Sequence, residues 1–154
     1  MTAAAGVHVR AAGADDMDTL HALICALAEH HGQRAHVRST PADLRRDIAV
    51  PEPRFGALLA EVDGRVAGFV TWTWLHSIWL GGRVMNVDDL FVDAACRGRG
   101  VGETLMHAAR DTCRALGAPH LRWEFEADNA AAIRFYERLG ARRRTRGLFA
   151  WDAA

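Results

Sequence analysis

Six consecutive residues, Arg97-Gly98-Arg99-Gly100-Val101-Gly102, have the types and spacing to hold a diphosphate. Alternate glycines let successive backbone N–H groups face one concave spot, and the two arginines add full positive charge. An apolar run from Val84 to Val92 precedes them, and Glu103 to Leu116 continues at helical spacing without a breaker. The loop therefore joins a strand to a helix whose positive end faces the same spot. A nucleoside-triphosphate loop needs Lys-Ser or Lys-Thr after its last glycine. Here Glu103-Thr104 follows, and all 19 basic residues are arginine. A dinucleotide loop reads G-x-G-x-x-G in an early βαβ unit, whereas this one is G-x-G-x-G and lies far into the chain.

A second stretch runs from Trp123-Glu124-Phe125-Glu126-Ala127-Asp128-Asn129 into Ala131-Ala132-Ile133-Arg134-Phe135-Tyr136-Glu137-Arg138-Leu139-Gly140-Ala141. It predicts a strand ending near Ala127 and a helix capped by Asn129. Ala132, Ile133, Tyr136 and Leu139 share one face of that helix, and Gly140 sits where a left-handed cap belongs. Tyr136 is the only tyrosine.

Together the two stretches resemble the GNAT acetyltransferase superfamily. Arg97-x-x-Gly100-x-Gly102, after a strand ending Asp88-Asp89-Leu90-Phe91-Val92, is similar to its coenzyme A pyrophosphate loop. The Asn129 to Tyr136 stretch is similar to its second signature, in which a tyrosine faces the thioester sulfur. The resemblance implies acetyl-CoA as donor and coenzyme A as product. Its holders would be Leu90, Phe91 and Val92, the loop from Arg97, Gly98, Arg99, Gly100, Val101 and Gly102 to Glu103, and Asn129, Ala131, Ala132, Phe135 and Tyr136. Leu23-Ile24, Thr40-Pro41-Ala42-Asp43-Leu44, Val66-Ala67-Gly68-Phe69, Trp79-Leu80-Gly81 and Asp88-Asp89-Leu90-Phe91-Val92 are further similar, in order and spacing, to the diamine (spermidine/spermine) N-acetyltransferase branch.

The elements that must position these residues follow from periodicity. Val7 to Arg10 reads as a strand. Asp15 or Asp16 caps a helix carrying Met17, Leu20, Leu23, Ile24 and Leu27 on one stripe, and Thr40-Pro41 starts a second helix. Phe55 to Val62 and Arg65 to Leu75 are strands around Asp63-Gly64, a tight-hairpin signal. Arg83 to Val92 is a third, and the loop's helix stops at Gly117. His120 to Glu126 is a strand, the Asn129 helix follows, and Gly147 to Asp152 closes as a final strand. The expectation is an α/β protein of GNAT fold, a mixed central sheet with an antiparallel N-terminal half and a β-α-β-α-β C-terminal half. One N-acetyltransferase domain spans residues 1–154.

Composition agrees with one compact enzyme-sized unit. Half of the 154 residues are hydrophobic, and 19 basic residues balance 19 acidic ones, enough to bury a core and with no field favouring nucleic acid or an anionic membrane. Cys25, Cys96 and Cys113 are too few and too scattered for a disulfide framework or a zinc site. Residues 1–13 lack the charge and apolar run of a leader, so a cytoplasmic location is expected. His30-His31 and His36 lack companion ligands, and no metal is expected.

Acetyl transfer to an amine sets its own demands. A free alkylammonium has a pKa near ~10.4, so presenting it neutral at pH 7 costs roughly 4–5 kcal/mol. Asp88 and Asp89, beside the loop, are the candidate proton acceptors; strand alternation puts them on opposite faces unless a bulge intervenes. Asp88 matches the glutamate of the diamine branch and is named the base, acting through water, with an anchoring role for a cationic substrate as its alternative. The resemblance implies an oxyanion donor among the backbone N–H groups of Leu90 to Val92. It also implies Tyr136 as hydrogen-bond donor to the departing sulfur. His30, His31, Asp88, Asp89, Trp123 and Glu124 would meet the substrate, a small-molecule amine, polyamine or amino-acid-like. His30-His31 and His76-Ser77 stand where the diamine branch has carboxylate-bearing pairs, so anionic contacts are missing. Trp72, Trp74 and Trp79 are candidates for a pocket floor or for the core. Arg142-Arg143-Arg144 and Arg146 read as a solvated strand edge. The resemblance implies a homodimer. Acetylation of a peptide or antibiotic amine, or a non-catalytic acyl-CoA sensor, are the alternatives.

Overall fold

The computed structural model describes residues 6–153. The first residues of the expected leader-free N-terminus, and both ends of the 1–154 span, lie outside the described residues. The elements are β1 (Val7–Ala11), α1 (Met17–His30), α2 (Pro41–Ile48), β2 (Gly56–Val62), β3 (Arg65–Ser77), β4 (Gly82–Val92), α3 (Val101–Ala115), β5 (Leu121–Trp123) and α4 (Ala130–Arg138). They fall into two compact units dividing after Glu124.

The first unit is built on one sheet of order β1-β2-β3-β4-β5. Its first four strands are antiparallel and β4–β5 is parallel. Asp63 and Gly64 make the β2–β3 reversal, at φ of 52° and 75°. Two left-handed residues give the turn whose twist matches paired strands, and this sets Val62 opposite Arg65. Phe69 then lies between Leu59 of β2 and Phe91 of β4. On that face α1 contributes Met17 and Leu20 to a core with Ala57, Leu59, Phe69 and Phe91, while Leu44 and Ile48 of α2 pack against it.

Local signals place both helices. Thr40 and Asp43 form a reciprocal capping box, the Asp43 N–H donating to Thr40 Oγ1 and the Thr40 N–H to Asp43 Oδ2. Asp16 precedes α1 as expected, but its carboxylate does not cap that helix. It accepts two bonds from the Arg10 guanidinium, at 2.8 and 2.9 Å, while Arg10 Nε donates to Glu61 at 2.7 Å. A planar guanidinium thus ties β1, β2 and the entry to α1 together.

The opposite face of the sheet carries α3, whose Val101, Leu105, Met106, Ala109 and Cys113 are buried. Gly68 permits this approach. A Cβ there would come within 2.6 Å of the Phe91 carbonyl oxygen and 3.5 Å of Leu105 Cδ1. Trp72 is buried, its ring over the Gly56 backbone, so it belongs to the core. Trp79 stands 98% exposed at the β3–β4 tip and floors nothing.

Two expected strands are corrected. β5 is confined to Leu121–Trp123 instead of reaching Glu126 or Ala127, because it pairs only with Met85 to Val87. In the second unit, α4 is capped by Asn129, whose Oδ1 accepts the Ala132 N–H at 3.0 Å, and Gly140, just past its end, takes φ 82°. Residues 141–153 form neither helix nor strand, so the closing strand expected at Gly147 to Asp152 is absent. Alternation makes a strand only where a sheet edge receives it, and the described sheet ends at β5. Arg142, Arg143, Arg144 and Arg146 are exposed, as are Leu148, Phe149 and Trp151.

Replacing Gly68 by alanine drives a methyl group into a backbone oxygen that cannot swing away. Gly68→Ala is expected to lower stability by about 1–3 kcal/mol, read as a shift in denaturation midpoint at unchanged slope.

Candidate active site

β4 carries one residue more than its partner. Asp89 lies opposite Thr71 and Val87 opposite Trp72, so Asp88 is the extra residue of a bulge. Directly paired residues share a face; Asp89 therefore joins Thr71, and Asn86 joins Thr73. Asp88 Oδ1 accepts from Asn86 Nδ2 at 2.8 Å and from Thr73 Oγ1 at 3.2 Å. Both aspartates thus lie on the α1 face of the sheet. The opposite-face arrangement that simple alternation predicts is overturned by the bulge.

The two carboxylates differ in surroundings. Asp88 is exposed, whereas Asp89 is half-buried beside the buried Thr71 hydroxyl, which donates to it. Burial pushes the Asp89 carboxyl up, and the like charge of Asp88 adds to this; His31, when protonated, and Thr71 pull the other way. His31 caps the C-terminal end of α1, and its ring meets His30 edge to face at 5.4 Å. His31 therefore acts on Asp89 only through its charge, from the end of α1. Thr71, Thr73 and Asn86 belong to no motif. Their signal is polarity on the face that carries Phe69 and Phe91, where alternation calls for apolar side chains.

Past Val87 the outer edge of β4 has no strand partner among the described residues. Leu90, Phe91 and Val92 pair with Val70, Phe69 and Gly68 of β3 on their inner edge. Immediately beyond, Gly98 and Gly100 adopt φ of 76° and 77°, a region that only glycine enters without strain. Thr104 donates the first bond of the α3 ladder to the Gly100 carbonyl at 3.0 Å. The N–H groups of Val101, Gly102 and Glu103 precede the ladder and project from the helix end. Such a helix end has the geometry to take an anion, and a pyrophosphate would fit its N–H groups. Arg97 Nε donates to the Val92 carbonyl at 3.1 Å, and Arg99 pairs with Asp63 at 3.1 Å. Both contacts are exposed, the kind worth about 0–1 kcal/mol, so either arginine can exchange its partner for a phosphate.

Trp123 pairs with Val87, and Glu124 accepts from Arg122 at 2.9 Å. In the second unit, α4 bears Ala131, Ala132, Phe135 and Tyr136, with the Phe135 and Tyr136 rings edge to face at 5.1 Å. Burial pushes the Tyr136 phenol up, which keeps it in its proton-donating form. Among the described residues no three His, Cys, Asp or Glu side chains gather as metal ligands.

The model of the acetyltransferase (GNAT) family matches residues 18–141. The chain belongs to the GNAT acetyltransferase family. Mycothiol acetyltransferase of Clavibacter michiganensis subsp. michiganensis is 33% identical over 140 residues, covering 90% of this chain and 43% of that protein. Streptothricin acetyltransferase of Streptomyces lavendulae is 38% identical over 78 residues, covering 51% of this chain and 39% of that protein. The chain thus spans less than half the length of either. Thialysine N-epsilon-acetyltransferase of Sus scrofa is 26% identical, with 90% and 85% covered. An aminoglycoside acetyltransferase from an uncultured soil metagenomic sample, solved with sisomicin, superposes at a TM-score of 0.81 with 14% identity, covering 95% of this chain and 96% of that one. That likeness shows the GNAT fold.

Within this GNAT chain the raised Asp89 carboxyl has a consequence for stability. A carboxyl whose folded value lies above its unfolded one binds its proton more tightly when folded, so ionising it costs stability. The cost is absent below the unfolded value of 3.8 and grows as pH rises through the folded value. Asp89→Asn is expected to be more stable than the parent at about pH 7, with the gain in denaturation midpoint shrinking toward zero near about pH 4.

Proposed function

We propose that this chain is an N-acetyltransferase domain that moves an acetyl group from acetyl-CoA to the primary amine of a small molecule by direct attack. One observation carries the reading. The helix-end cradle at Gly98 to Glu103 and the open β4 edge at Leu90 to Val92 lie along one strand with the Asp88 and Asp89 carboxylates. Acetyl-CoA, when bound, supplies the activated acetyl group. The residues suited to hold it are Leu90 to Val92, the Arg97 to Glu103 loop and, by the family resemblance, Asn129, Ala131, Ala132, Phe135 and Tyr136.

The aspartate pair accepts the proton that an incoming ammonium must lose, and its charge attracts that ammonium. By resemblance alone Asp88 is the acceptor. Backbone N–H groups of Leu90 to Val92 stabilise developing negative charge on oxygen. Tyr136 acts by donating a hydrogen bond to sulfur. Full proton transfer from an ordinary phenol to a thiolate is uphill by about 2 kcal/mol, and a raised phenol makes it more so. His31 joins the pair as a substrate contact, and His30, Trp123 and Glu124 are proposed as further ones.

An amine with a carboxylate or hydroxyls suits a site that mixes histidine and aspartate better than a polyamine does; the thialysine acetyltransferase, distantly similar, supports an amino-acid-like acceptor. A second reading, acetylation of an antibiotic amine, is favoured by the likeness to streptothricin acetyltransferase. A single domain over residues 1–154, a homodimer and a cytoplasmic location complete the proposal; among the described residues no helix is long and apolar enough to cross a membrane.

Thiol release from acetyl-CoA over a panel of polyamines, amino acids, aminoglycosides and peptide N-termini tests the reading. Turnover with one class is expected; coenzyme A uptake by calorimetry with no turnover on any amine would make the protein a sensor instead. Tyr136→Phe is expected to lower turnover at least about tenfold with little change in acetyl-CoA affinity, and unchanged turnover removes the role.

A further inference from the structure

The bulge at Asp88 gives the two neighbouring carboxylates different partners, and this separates their roles. Both oxygens of a carboxylate can serve as acceptors. Asp88 uses Oδ1 for two donors, Asn86 Nδ2 at 2.8 Å and Thr73 Oγ1 at 3.2 Å. These donors fix its orientation, while the side chain stays exposed to an approaching cation. Asp89 is half-buried opposite the buried Thr71, whose hydroxyl donates to it, with Asp88 as a like charge on its own strand and the charge of a protonated His31 opposing that repulsion. Burial and repulsion both favour its taking up a proton.

We propose that Asp89, the residue after the one matched to the family's glutamate, is the group that receives the ammonium proton. Asp88 grips the cation as a fixed anion, and Asn86 and Thr73 are the positioning residues that hold it. The step is a single proton transfer. An N–H bond of the ammonium breaks and leaves its electron pair on nitrogen, an O–H bond forms on Asp89, and Asp89 later returns that proton to water. Every unit by which the acceptor's pKa approaches that of the amine makes the transfer about tenfold less unfavourable. An ammonium seated against Asp88 would also offset the repulsion that the ionised pair suffers without substrate.

The inference rests on the N-acetyltransferase reading for its catalytic meaning, but the carboxylate order is measurable without substrate. Carbon-13 NMR titration of aspartate-labelled protein, with Asp88→Asn and Asp89→Asn for assignment, is expected to show Asp89 titrating at higher pH than Asp88. Its titration should shift downward in Asp88→Asn. In turnover, Asp89→Asn is expected to lower kcat at least about 100-fold and to abolish the acidic limb of the pH profile, with the KM for the amine within about threefold. Asn86→Ala and Thr73→Val are each expected to raise that KM at least about fivefold while kcat changes less than about twofold. Asp89 titrating below Asp88 in the free protein overturns the assignment, as does an acidic limb that survives in Asp89→Asn and disappears in Asp88→Asn. If the parent protein acetylates no amine, the transferase reading fails, while the titration still decides which carboxylate holds the proton.

Discussion

One extra residue in β4 decides how the two neighbouring aspartates of this protein are placed. A strand with regular alternation would send Asp88 and Asp89 to opposite faces, one of them beneath α3. The bulge opposite Thr71 and Trp72 turns both toward the α1 face instead. The irregularity is held on either side by ordinary pairing, with Val87 opposite Trp72 below it and Phe91 opposite Phe69 above it. Phe69 is fully buried, so the register above the bulge cannot slip without exposing the centre of the core. Pairing with β5 ends at Val87, the last residue before the bulge, which leaves the outer edge of β4 open where it runs toward the cradle.

This arrangement costs stability. Two adjacent carboxylates, one of them half-buried, repel each other and lose solvation. Thr71, Thr73 and Asn86 offset part of that cost with hydrogen bonds. The cradle is organised with less strain. Gly98 and Gly100 take left-handed conformations at no steric cost, and the arginines rest in weak exposed contacts that a phosphate can replace.

The acceptor side has a mixed character. Aspartates come from β4 and a histidine from the end of α1. Relatives that share the family act, by their names, on chemically diverse acceptors, which accords with a common donor cradle and a variable acceptor surface.

Local signals were enough for the helices, the Asp63-Gly64 hairpin, the Asn129 cap and the glycine loop, because capping, turn chemistry and periodicity act over a few residues. The family was legible for the same reason, since its motifs are local. Alternation misled at Gly147 to Asp152 and at the end of β5, where a strand depends on a partner far away in sequence. The placement of Asp88 beside Asp89, and the roles of Thr71, Thr73 and Asn86, were decided only by pairing between strands. A bulge is a mismatch between two strands, and neither strand's residues record it alone.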